Sequence, residues 1–253
     1  MEIVYGIFFF LFGIVFGSFF NVVGLRIPKN ESIITPPSHC PNCQRRLTAI
    51  DLVPVFSYIC LRGKCRTCEA KISPIYVVSE LATGLLFAFS YIQLGLSIEL
   101  AIALFFISLL AIIVVSDLKY MIIPDKVLLF FLPLLILGRF VSPIEPWWDA
   151  FLGGAVGFGI LLLIAVISKG GMGGGDIKLF FLIGLVLGTV KTLLTLFLAS
   201  VIGMIVGVIV LWMRNQGRKT PVPFGPSIAL AAVIVYFYGD AIIQWYWGLF
   251  SFS

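Results

Sequence analysis

Gly171-Met172-Gly173-Gly174-Gly175-Asp176-Ile177-Lys178 breaks a chain that is otherwise almost continuously apolar. Glycine carries no side chain and tolerates φ > 0, so a backbone here can come close to another backbone. A carboxylate beside such a loop, at a membrane edge, is costly to place. Read alone, the stretch serves equally as a turn between two membrane helices, with Asp176 capping the second. Outward from it, on both sides, lie apolar runs of bilayer-spanning or near-spanning length, approximately 3–25, 76–96, 98–116, 126–142, 148–168, 177–189, 191–213 and 227–250. They predict an all-α polytopic membrane protein of about eight transmembrane helices with a small cytoplasmic zinc-ribbon-like loop domain. The expected division is 1–25 as the first transmembrane helix, 26–75 as the cytoplasmic tetracysteine domain and 76–253 as a membrane core. The sixth run is short, and Pro133 is expected to kink the fourth.

Composition agrees. Of 253 residues, 60% are hydrophobic and 11% charged, where a soluble domain carries about a quarter charged residues. The first run is too long for a signal-peptide core and no small-residue cleavage site follows, so it is predicted to stay in the membrane. The net charge of +5 implies no nucleic-acid partner, because the basic residues form neither a groove nor a tail. They report topology instead. With 26–75 in the cytoplasm and the runs alternating, all 17 Lys and Arg except Arg139 and Lys191 fall inside, a strong positive-inside bias. Both termini are then outside. Trp147, Trp148, Trp245 and Trp247 suit the outer interfacial belt. Asp117, Asp125, Asp176 and Pro223-Phe224-Gly225-Pro226 all fall at the cytoplasmic face.

In the 26–75 loop, Cys40-Pro-Asn-Cys43 and Cys65-Arg-Thr-Cys68 form two C-x2-C knuckles. That spacing predicts a structural Zn²⁺ held by Cys40, Cys43, Cys65 and Cys68; redox thiols or disulfides are the alternative, disfavoured in a reducing cytoplasm. Arg45, Arg46, Lys64 and Arg66 are placed to offset the thiolate charge. His39 is a competing ligand or a neighbour, and Cys60 reads as a small apolar residue. So short a loop buries little core, and a metal supplies a staple.

Asp117 ends the third apolar run and Asp176 begins the sixth, at one expected membrane depth. If those helices touch, two carboxyls share a proton. One then takes a proton from water while the other polarises a peptide carbonyl, as in aspartic proteases. Gly173, Gly174 and Gly175 would hold an extended peptide by backbone hydrogen bonds. The blander readings are an interfacial Asp117, and Asp125 as a helix cap or dipole partner. Phosphate binding is discounted, since Gly175 is followed by Asp176 and not by Lys-Ser/Thr.

At these residues the chain resembles the type IV prepilin peptidases, GxGD-type intramembrane aspartic peptidases. The resemblance runs through Ser18-Phe-Phe-Asn21, Arg26-Ile27-Pro28, the four cysteines, Asp51-Leu-Val-Pro54, Glu80-Leu81, Asp117 with Ile123-Pro124-Asp125, Gly171 to Leu179, and Pro223 to Pro226. It implies cleavage of the basic leader of prepilins and pseudopilins at the cytoplasmic face, with Asp117 and Asp176 catalytic. It also implies methylation of the new N-terminal amine by S-adenosylmethionine, favoured here by the cysteine loop. For that cofactor the candidates are Glu80 and Asp51, with Pro223 to Pro226 nearby; a helix-start role for Glu80 and a plain turn at Pro223 are the simpler readings. Asn21 and Arg26 are expected to tie the first helix to the loop. The implied partners are prepilin or pseudopilin substrates and the lipid bilayer of a bacterial inner membrane.

Other classes fit less well. A monofunctional leader peptidase, or a non-enzymatic zinc-loop assembly factor, would keep part of the pattern. A transporter is expected to carry charges deep in its helices, whereas these acids are interfacial. A zinc peptidase lacks its H-E-x-x-H, the one histidine being His39.

Overall fold

A computed structural model describes residues 1–169, 171–214 and 222–250. Arg218 and Lys219, which entered the charge bias, lie outside the described residues. Each apolar run is a single helix. In chain order the helices are α1 Glu2–Arg26, a short α2 Phe56–Cys60 within the loop, α3 Ile75–Leu94, α4 Ile98–Tyr120, α5 Asp125–Val141, α6 Asp149–Ile167, α7 Gly174–Leu187, α8 Thr189–Arg214 and α9 Gly225–Phe250. Among the described residues, six helices are long and apolar enough to cross a membrane: α1, α3, α4, α6, α8 and α9. α5 has 17 residues and α7 only 14, the latter giving about 21 Å of rise against a hydrocarbon core of about 30 Å.

Two boundaries move. α4 continues past 116 to Tyr120 because nothing in Ser116-Asp117-Leu-Lys-Tyr breaks a helix; Met121, with φ of 55°, does. α7 starts at Gly174, not at 177. Asp176 sits in its first turn, where a carboxylate meets the positive helix end. Thus Gly174 and Gly175 are helical, and Gly173 is the residue that precedes the helix. α5 runs through Pro133 as one helix.

The chain divides into two compact units, Met1–Lys119 and Tyr120–Ser253. In the first, α1 and α3 pack backbone to backbone. A Cβ on Gly13 would lie 2.8 Å from Gly84 Cα, and one on Gly17 would lie 2.9 Å from Glu80 Cα. Gly13-x-x-x-Gly17 is thus the small-residue seam that lets membrane helices approach closely. Gly24 plays the same part towards Ile112 of α4. Phe9, Tyr91 and Leu100 form a buried cluster at the far end, with the rings of Phe9 and Tyr91 stacked at 5.1 Å.

In the second unit α7 is the most enclosed helix, with nine of its residues buried, and it packs on α5, α6, α8 and α9. Its contact with α6 is again made of glycine: Gly184 lies directly against the Gly153 backbone, and Gly157 against the Phe180 carbonyl. Charged ends are tied down within the unit. Asp149 of α6 accepts the Thr189 amide at 3.1 Å and its hydroxyl at 2.6 Å, capping α8. Arg139 donates to the Val186 carbonyl at 2.6 Å, at the end of α7. Lys191 pairs with Asp240 of α9 at 2.7 Å.

Candidate functional site

Between α1 and α3 the loop folds around two near-identical knuckles. In the first, the Cys40 amide donates to Arg45 O and the Gln44 amide to Cys40 O, both at 2.9 Å. In the second, the Cys65 amide donates to Ala70 O at 2.9 Å and the Glu69 amide to Cys65 O at 3.0 Å. Each closes with an antiparallel bridge, His39 to Arg46 and Lys64 to Lys71. Each turns through a left-handed residue just after its second cysteine, Gln44 at φ 58° and Glu69 at φ 54°. Sequence reading found the cysteine spacing but not this internal repeat, whose signal was the matching offset of the two motifs.

The knuckles bring the four sulfurs together. Cys40 and Cys68 are 3.7 Å apart, Cys43 and Cys65 4.0 Å, and all four sulfurs lie within 4.8 Å of one another. A tetrahedral Zn²⁺ with bonds of about 2.3 Å places its sulfurs about 3.8 Å apart, so the donor set fits zinc by chemistry and by spacing. Amides prepare two of these ligands for the thiolate form. The Ala70 amide, with the Asn42 side chain, brings Cys68 down to about 6, and the Cys68 and Thr67 amides lower Cys65. The Arg45 amide favours the Cys43 thiolate too, but burial and the three other thiols outweigh it and push Cys43 up to about 11. His39 is exposed and its Nδ1 lies 3.2 Å from the Pro37 carbonyl oxygen, so the ligand set is complete without it.

Two of the arginines expected to balance the thiolates turn elsewhere. Arg45 Nη2 lies 2.7 Å from Asp51 Oδ2, and Arg66 Nε lies 2.9 Å from Asp51 Oδ1. One arginine follows the first knuckle and the other lies inside the second, so Asp51 clamps both. Its Oδ2 also accepts the Thr48 amide at 3.1 Å and hydroxyl at 2.9 Å, completing a capping box on the 3-10 turn Ala49–Leu52. The Thr48 amide and hydroxyl, then Arg66 and Arg45, hold the carboxyl down at about 2, against the cost of burial.

Glu80, buried in α3, accepts the Val55 amide at 2.8 Å. Asn21 accepts from Ser79 at 2.6 Å and donates to the Tyr76 carbonyl at 3.2 Å. Asn21 therefore ties α1 to α3, while Arg26 reaches the loop at the Ser32 carbonyl, 3.0 Å away. Asp51 and Glu80, the two candidate contacts for a methyl donor, are each committed to partners within the chain. They fit the work of fixing the loop.

The aspartates occupy helix ends. Asp117 is buried in the last turn of α4, in the first unit. Asp176 is half-buried in the first turn of α7, in the second, its amide donating to the Gly173 carbonyl at 3.1 Å. Gly175 is where the missing side chain matters: a Cβ there would lie 2.6 Å from Ile123 Cβ. The bare backbone thus seats α7 against Ile123-Pro124, and Gly174 next to it faces open space. Asp125 opens α5 as the acid in its first turn, in the place expected of a dipole partner though without a capping bond, and also pairs with Lys178 of α7 at 2.6 Å. Phe224 packs on Gly203 of α8, and its carbonyl accepts the Ile228 amide, so Pro223 to Pro226 form the turn that starts α9.

Apolar helices of spanning length, joined by a loop whose four clustered thiols could hold a metal ion, define a polytopic membrane protein. Comparison with known proteins gives the family. Residues 11–94 match the bacterial peptidase A24 N-terminal domain, and residues 104–208 match the type IV leader peptidase family. A prepilin leader peptidase/N-methyltransferase of Bacillus subtilis (strain 168) is 44% identical, covering 94% of this chain and 96% of the relative. Proteins of the same name from Aeromonas hydrophila and Pseudomonas aeruginosa are 33% and 34% identical over 94% and 93% of this chain, and 92% and 91% of their own. No solved structure matches. The chain belongs to the type IV leader peptidase family, and it is a protease and methyltransferase.

Proposed function

We propose that this protein removes the leader of type IV prepilins or pseudopilins at the cytoplasmic face of the bacterial inner membrane, then methylates the new N-terminal amine. The observation that carries the reading is the near-full-length similarity to proteins bearing both activities in their name, joined to acids at the ends of α4 and α7. Asp117 and Asp176 form the catalytic pair. One carboxylate takes a proton from water, the other acid holds the peptide carbonyl, the water oxygen bonds to the carbonyl carbon, and the C–N bond breaks with the proton passing to the amine.

The eight helices other than α2, the short α5 and α7 among them, all lie in the bilayer in this reading, with both termini outside and the 26–75 loop in the cytoplasm, as the placement of Lys and Arg supports. A groove of about 540 Å³ between α5, α6 and α7 begins at Asp125 and Lys178, within one turn of Asp176, and continues over Leu128, Leu132, Phe158 and Phe181. It suits the apolar segment that follows a leader. Gly173 stands just before the helix, its carbonyl already taken by the Asp176 amide, and Gly174 and Gly175, wound into α7, contribute first-turn amides to the peptide.

Zinc, held by the four cysteines, is structural and sets the shape of the loop. S-adenosylmethionine supplies the methyl group when bound. Asp51 and Glu80 serve that step indirectly, by fixing the loop. The test is the purified protein mixed with a prepilin peptide and S-adenosylmethionine, read by mass for loss of the leader and gain of one methylene. Asp117→Asn and Asp176→Asn are expected to abolish leader loss with zinc content unchanged. Cleavage at the normal rate by either variant refutes the aspartate pair.

A further inference from the structure

The segment 49–60, at the tip of the loop between the two knuckles, carries large apolar side chains that the described residues leave exposed. Ile50, Phe56 and Ile59 are 69%, 62% and 64% exposed, and Leu52 and Val53 are 43% and 42% exposed. In water, so dense a patch on so short a segment is a solubility liability. Its depth explains it. The Val55 amide, just before α2, is bonded to Glu80, which lies five residues inside α3, or about 7.5 Å from the helix start. α3 has 20 residues, about the minimum that crosses a hydrocarbon core of about 30 Å, so it has no length to spare outside the bilayer. Glu80, and with it Val55, therefore lie below the headgroups.

We propose that residues 49–60 dip into the bilayer and that their occupant is lipid, at the boundary between headgroups and acyl chains. Two observations favour lipid over a protein partner. Exposed Arg62 follows α2 directly, where a cation meets anionic headgroups. And the Val55 amide, just before α2, is satisfied from inside by a buried carboxylate, the kind of internal partner that irregular backbone needs in lipid. The zinc centre then does more than shape the loop, since with Asp51 it fixes the base of a membrane anchor. Neither the side of the membrane that the loop faces nor the catalytic pair bears on this anchoring.

The test is collision accessibility of a nitroxide on the full-length, zinc-loaded protein in phospholipid vesicles without substrate. In a Cys60→Ser background, which leaves only the four ligand cysteines, Phe56→Cys, Ile59→Cys and Ile50→Cys are labelled separately. Arg46→Cys, exposed on the first knuckle, is the aqueous control. Zinc content of each labelled protein shows that the loop is folded, and three positions allow for one variant failing. At 50, 56 and 59, oxygen, which concentrates in the membrane, is expected to exceed a water-soluble nickel chelate in collision rate by several-fold, with the order reversed at 46. Labels at 50, 56 and 59 that behave like the label at 46, or that neither reagent reaches, overturn the proposal; the second result would mean the patch is covered by protein.

Discussion

Gly175→Ala and Gly174→Ala are adjacent changes with opposite expected outcomes. Both replace glycine in the first turn of α7, and each gains about 0.5–1 kcal/mol from reduced backbone freedom. At Gly174 the new methyl meets nothing within 4 Å, so that gain stands. At Gly175 it would lie 2.6 Å from Ile123 Cβ and 3.1 Å from the Ile123 carbonyl oxygen. Carbon atoms in contact sit about 3.5–4.0 Å apart, so α7 or the Ile123-Pro124 segment must shift by about 1 Å. Overpacking of that kind costs about 1–3 kcal/mol, which outweighs the propensity gain. The two variants are therefore expected to differ by about 1–3 kcal/mol, or roughly 2–12 °C in Tm for a chain of this size. Intrinsic tryptophan fluorescence during heating in detergent reads it. Leader cleavage is expected to fall in Gly175→Ala alone, since its clash displaces the turn that carries Asp176. Equal melting of the two proteins would refute the close seating of α7 on Ile123.

The remaining predictions concern the loop and the helix ends. Purified protein is expected to hold about one zinc per chain, and Cys40→Ser or Cys68→Ser to lose it, by metal analysis. Asp51 has a lowered carboxyl, about 2 against 3.8; a depressed acid stabilises above its unfolded value and loses that contribution as pH falls through its folded one. The stability difference between the protein and Asp51→Asn is thus expected to be full above pH 3.8 and to close towards pH 2, by urea unfolding across that range. Asp149→Ala removes the side chain that caps α8 through Thr189 and is expected to cost about 1–2 kcal/mol, read as a lowered Tm with zinc content unchanged.

What could be read without coordinates was whatever depends on composition over a window or on spacing along the chain. Bilayer thickness imposes a run length, and each apolar run became a single helix. Two C-x2-C turns need only local backbone to aim their sulfurs inward, so the clustering of the four thiols was readable as well. The acids Asp117 and Asp176 could be singled out because charge is scarce in such a chain, and their helix-end positions followed from the run boundaries. Tertiary structure decided what each polar group does with its neighbours. Asp51 and Glu80 look alike as loop-side carboxylates, yet one clamps two arginines and the other takes a buried amide, because hydrogen-bond partners distant in sequence are chosen by packing. Packing likewise gave Asp125 to Lys178 and drew Gly174 and Gly175 into α7. A helix start is set by which groups can approach its first turn, and a string of residues carries no record of what lies across from them.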